Sequence, residues 1–109
     1  MIIREYLDRQ GRIPFRDWLD GLDKATRARI QARLLRFETG NLGDHKHLDG
    51  GVWEARVMFG PGYRLYFGKE GDELVLLLIG GDKGSQRKDI AKAAGYWKHY
   101  KERADGKAK

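Results

Sequence analysis

Read as apolar and polar positions, the chain opens on a short alternation, "MIIREYLD", that predicts a first strand. Pro14 suits the first turn of a short helix, "PFRDWLDGL", which Gly21 stops. Asp23 can cap a longer helix from Lys24 to about Glu38. In it Ile30, Leu34 and Phe37 fall at i, i+4 and i+7 as one buried stripe. "TGNLGDHKHLDGG" reads as a loop from its glycines and polar residues. Three strands are expected next, over residues 52–59, 63–67 and 74–79, joined by tight turns at Gly60-Pro61-Gly62 and Glu70-Gly71-Asp72. Connections this short imply antiparallel pairing. The last of these strands is apolar at every position, so it should be covered on both faces. The chain is then expected to turn through Gly80, Gly81, Asp82 and Lys83. A final helix follows, capped by Ser85 and running to about Arg103, with Ile90, Ala93, Ala94 and Trp97 as its apolar seam. The order β-α-α-β-β-β-α implies an α+β fold, with helices packed on a twisted, mostly antiparallel sheet. One domain over residues 1–104 accounts for this pattern, leaving 105–109 as a disordered basic tail.

Strand parity sorts the side chains onto faces. Trp53, Ala55, Val57 and Phe59 share one face of the second strand, and Glu54 and Arg56 take the other. In the third strand Tyr63, Leu65 and Phe67 face the core, opposed to Arg64 and Tyr66. If these strands pair across the Gly-Pro-Gly turn, Arg56, Arg64 and Tyr66 share a sheet face, and Lys83 emerges at the end of the neighbouring strand. Cations gathered beside a helix start suit a phosphate. On RNA, a 2′-hydroxyl can attack the adjacent phosphate while such cations stabilise the pentacoordinate charge without a metal. A base and an acid are also required, and Tyr66, Lys83 and His99 are the available suppliers. Gly80 and Gly81 would let a partner's backbone approach closely. Asp82 would either orient Lys83 or neutralise it.

Charge sharpens this picture. The net charge is +6, and residues 83–109 carry nine Lys/Arg against three Asp/Glu, while the rest of the chain is balanced. Lys88, Lys92, Tyr96, His99 and Arg103 form a basic, aromatic-bearing stripe on the last helix that could follow a phosphate backbone. Lys46, between two loop histidines, is a further candidate for RNA. Arg29, Arg33 and Arg36 fall at i, i+4 and i+7 on the long helix; they read as a solvated face, with an RNA or protein contact as the sharper alternative. Absent cysteine excludes disulfides, iron–sulfur clusters and thiolate zinc, and suits a reducing cytoplasm. The "HKH" run lacks an evident third metal ligand, and "GGDKGS" lacks the spacing of a nucleotide P-loop. No apolar run is long enough for a membrane span, so a soluble, cytoplasmic protein is expected.

"PFRDWLDGL", "RARIQARLLRFETGNLGD", "GVWEARV", "FGPGYRLYFG" and "LLLIGGDKGSQRKDIAKAAGYW" together resemble the RelE/ParE toxin superfamily. They are most similar to its compact branch of RelE- and HigB-like addiction-module killer proteins, over roughly residues 1–100. The resemblance implies the toxin of a type II toxin–antitoxin pair, acting as a ribosome-dependent mRNA endonuclease without metal or cofactor. Its implied partners are mRNA on the ribosome and a cognate antitoxin, often a helix-turn-helix DNA binder. By position, Arg56 matches a basic residue of the second strand. Arg64 matches the arginine after the hairpin tyrosine, and Lys83 matches the basic residue closing the last strand. Two departures stand out: Glu54 occupies a place where some cleaving members carry lysine, and Gln86 to Asp89 offer no tyrosine. The same fold also serves ParE-like poisons of DNA gyrase, and a non-enzymatic basic binding domain is the third reading.

Overall fold

The most apolar segment of the chain becomes β5 (Leu74–Asp82), and its side chains enter both cores of the molecule. In the computed structural model, which describes residues 1–104, Val75 and Leu77 point to one side. There they meet Phe15, Leu19, Ile30 and Phe37 from α1 (Pro14–Asp20) and α2 (Lys24–Glu38). Leu76, Leu78 and Ile79 point to the other, against Ala93 and Trp97 of α3 (Gln86–Ala104). Strict alternation would separate Leu78 from Ile79. A register shift against β4 (Tyr63–Glu70), where Tyr66 faces Ile79 but Phe67 faces Leu77, turns both toward α3. The strand is therefore covered on both faces, as its unbroken apolar run predicts.

The sheet has five strands in the order β1-β5-β4-β3-β2. β1 (Ile2–Glu5) runs parallel to β5, and the remaining neighbours are antiparallel. The fold is thus α+β, with three helices on a mixed sheet. Its long helix begins where its cap predicts: the Asp23 carboxylate accepts the amide N–H of Thr26 at 3.1 Å. Two assignments change. The predicted loop contains an edge strand, β2 (His45–His47), paired with β3 (Val52–Val57). Three exposed polar residues carry no period-two pattern, so nothing local announces it. The expected turn at Gly80 and Gly81 is instead a continuation of β5, with Gly80 opposite Leu65 and Gly81 opposite Arg64. Residues 105–109, read as a disordered tail, lie outside the described residues.

The glycine pair also serves a different neighbour from the partner backbone expected for it. A Cβ on Gly80 would overlap the indole of Trp18, which lies across the strand from α1. A Cβ on Gly81 would overlap the Asp89 carboxylate on α3. Each glycine admits a side chain of this same chain, one on each face. A methyl group at residue 80 would force the large, rigid indole aside. Gly80→Ala is predicted to destabilise the fold by about 1–3 kcal/mol, seen as a lower denaturation midpoint in urea. Combining it with Trp18→Ala should cost less than the sum of the two single changes. Simple additivity would show that the indole does not set the requirement.

Candidate functional site

Three of the predicted site cations converge. Arg56 on β3 stands directly opposite Arg64 on β4, and Arg64 in turn stands opposite Gly81 on β5. Lys83 follows one residue beyond the strand. Together with the hairpin turn through Met58, Phe59, Gly60, Pro61 and Gly62, these three side chains line a cavity of about 460 Å³. The turn is closed by the Gly62 amide donating to the Phe59 carbonyl at 3.1 Å.

Like charges placed opposite on a sheet repel, and each arginine has its own carboxylate. Arg56 Nε lies 3.2 Å from Asp44 Oδ2, with both side chains substantially exposed. Arg64 Nε lies 3.9 Å from Glu54 Oε1, a pair that is almost wholly buried. That separation allows Coulomb attraction but exceeds a hydrogen bond. Among the described residues, no carboxylate stands within ion-pair distance of Lys83. Asp82 neither orients nor neutralises this lysine. Its Oδ1 accepts the amides of Gly84 and Ser85 at 2.8 and 3.2 Å and so caps the helical turn Lys83–Ser85. Ser85 was expected to cap the last helix; its hydroxyl instead donates to the Asp89 carboxylate. The cleft therefore holds two charge-balanced guanidinium groups and one free ammonium.

Tyr66 is on the same face but not in the cleft. It is 0% exposed, packed among Leu76, Leu78 and Trp97 beneath α3. Burial, then the nearby Glu54 and Asp89 carboxylates, push its phenol far above the ordinary tyrosine value. A phenol so placed keeps its proton and cannot reach a substrate, which removes it as the base. Parity assigned its face correctly. The covering helix was the missing information.

The other candidates scatter. His99 accepts at Nδ1 from the Tyr6 hydroxyl, in the tautomer that leaves its proton on Nε2, and Tyr6 stacks on Tyr96 at 4.8 Å. Desolvation, then Arg9 and Arg103, lower the His99 pKa. Thirteen residues separate His99 from Gln86, roughly 20 Å along a helix, so it cannot act at the cleft. Lys88 and Lys92 are exposed on the first half of α3, and Lys46 is exposed on β2 opposite Glu54. His45 and His47 lean on Trp53, at 5.5 and 4.8 Å between rings. Among the described residues, no group of three or more His, Cys, Asp or Glu side chains is placed to share a metal ion.

Arg33 is the residue the sequence misassigned. Far from solvated, it is 7% exposed. Its guanidinium donates to the carbonyls of Leu42, Asp44 and Arg56, at 3.0, 3.0 and 2.6 Å. It thereby ties the 42–44 loop, with Asp44 and its ion pair, to the end of β3. Gly43 makes room, since a Cβ there would meet the guanidinium at 2.6 Å. Burial lowers the arginine's pKa, with Arg36 adding to the effect. A signal was available: Arg33 lies three residues after Ile30 and four before Phe37, inside the buried stripe.

No family model matches the chain. An uncharacterized protein of Haemophilus influenzae is 43% identical over 82 residues, which span 74% of this chain and 83% of that protein.

Arg33→Met would leave three carbonyls without their charged donor. It is predicted to lower stability by about 1.5–3 kcal/mol in urea unfolding, the usual worth of hydrogen bonds to a charged group. Arg33→Lys should not restore it, because an ammonium cannot present the planar fork. A loss of under about 0.5 kcal/mol, typical of a surface position, would show the clamp to be dispensable.

Proposed function

The chain belongs to the same family as the Haemophilus influenzae protein, and we propose, on the geometry of the cleft, that it is a toxin of the RelE/ParE superfamily that cleaves mRNA on the ribosome. The observation that carries this reading is the convergence of Arg56, Arg64 and Lys83 on one cleft at the hairpin. The α+β arrangement is compatible with it. So are the sequence stretches that resemble the superfamily, since they contribute the hairpin, the arginine opposite Gly81 and the lysine beyond β5.

In this mechanism the scissile phosphate enters the cleft and Arg56 and Arg64 meet its non-bridging oxygens. The 2′-hydroxyl oxygen forms a bond to phosphorus and releases its proton to water. The bond from phosphorus to the 5′-oxygen breaks, and the Lys83 ammonium supplies that oxygen with a proton. The chain's main contribution is electrostatic. Cations fixed by Asp44, Glu54 and the sheet stabilise the dianionic phosphorane without reorganising as charge develops. The buried Tyr66 serves only to support the floor. The antitoxin would neutralise the toxin by covering this basic surface.

Expressing the chain alone in bacteria, with RNA 5′ ends mapped, tests the reading. We expect growth arrest with codon-phased cuts in translated messages. Lys83→Ala, an exposed change outside both cores, should relieve toxicity and reduce cleavage by roughly 10²-fold or more, typical of losing one preorganised transition-state group. Intact messages would overturn the nuclease reading. Intact messages together with DNA-damage signalling would point to gyrase as the target instead.

A further inference from the structure

Two exposed arginines of α2 have no part in the cleft, yet they wall a second one. A cavity of about 510 Å³ is lined by Arg29, Arg33, Arg36, Val57, Met58 and Phe59, with Ala32. Met58 and Phe59 also line the first cavity, so the two adjoin across the hairpin. The Arg29 guanidinium lies 4.3 Å from the centre of the Phe59 ring, forming a cation-topped aromatic shelf. Met58 is 81% exposed at the shared rim. Among the described residues, no carboxylate lines the groove, and the buried Arg33 behind it donates its hydrogen bonds to backbone carbonyls.

We propose that this groove binds the continuation of the RNA strand whose scissile phosphate sits in the first cleft, with Arg29 and Arg36 on phosphates and a base against the Phe59 and Met58 shelf. The inference rests on the RNA-cleaving reading and extends it from a single phosphate to a path. A basic groove with an aromatic shelf is the arrangement that takes single-stranded nucleic acid without regard to sequence. An acidic protein segment would find the same cations. However, the exposed Met58 thioether and the half-buried Phe59 ring suit a planar base, and the continuity with a phosphate cleft favours one polyanion crossing both. The hairpin tip then acts as a ridge over which the strand bends.

The test uses the full chain and a fluorescently labelled single-stranded RNA of about 12 nucleotides, with anisotropy measured over a series of salt concentrations. For Arg29→Gln/Arg36→Gln we expect roughly tenfold weaker binding. The plot of log affinity against log salt should be shallower by about 1.4, since each single-strand phosphate contact contributes about 0.7. Arg29→Lys/Arg36→Lys, which keeps the charge, should retain most of the slope. Because both side chains are exposed, unchanged thermal unfolding checks the fold. Affinity and slope equal to those of the unaltered chain would overturn the groove and leave the cleft reading intact. So would loss of an acidic protein partner with RNA binding unchanged. An unaltered chain showing no salt-dependent RNA binding would also overturn the groove, whereas the cleavage reading stands or falls on the mapped 5′ ends.

Discussion

The carboxylate of Glu54 is 1% exposed in the middle of a sheet, and much of the site follows from that burial. An unpaired buried charge would cost several kcal/mol, so neighbouring groups are drawn to it. Gln86, the first residue of α3, donates its side-chain amide to Oε2 at 2.9 Å. Arg64 approaches Oε1 from the adjacent strand. One acidic side chain thus fixes where α3 starts over the sheet and where the Arg64 guanidinium stands. The fit is incomplete: among the described residues, Glu54 Oε1, Arg64 Nε and the Tyr66 hydroxyl have no hydrogen-bond partner.

Positive charge in the cleft is correspondingly graded. Arg64 is held from below by Glu54, and Arg56 is held from the side by Asp44, itself placed by the Arg33 clamp. Lys83 stands free on a turn capped by Asp82. The arginines present planar donor forks on fixed supports, whereas the lysine is a compact charge on a flexible stem.

Local pattern was enough for the helices, for the antiparallel hairpins and for the two-sided burial of β5. It also placed Arg56 and Arg64 on a common face, because parity and a tight turn fix register. What escaped it was tertiary. Gly80 and Gly81 look like a turn until Trp18 and Asp89 are seen to need their space. Tyr66 is an open-face residue until α3 covers it, and β2 exists only through its pairing with β3. Arg33 is the instructive intermediate case. Its spacing within the buried stripe was visible, but the carbonyls that make a buried guanidinium tolerable lie on a loop and a distant strand.

The central claim is that Arg56, Arg64 and Lys83 form one anion-binding cleft, with α3's basic stripe secondary to it. Nuclear magnetic resonance titration with a dinucleotide whose attacking 2′-hydroxyl is methylated tests this most directly, because binding is seen without cleavage. The account predicts that the Arg56 and Arg64 Nε resonances and the amides of Gly60, Gly62 and Lys83 shift together with one saturation curve. Shifts centred on Lys88, Lys92 and His99, with the hairpin unmoved, would contradict it.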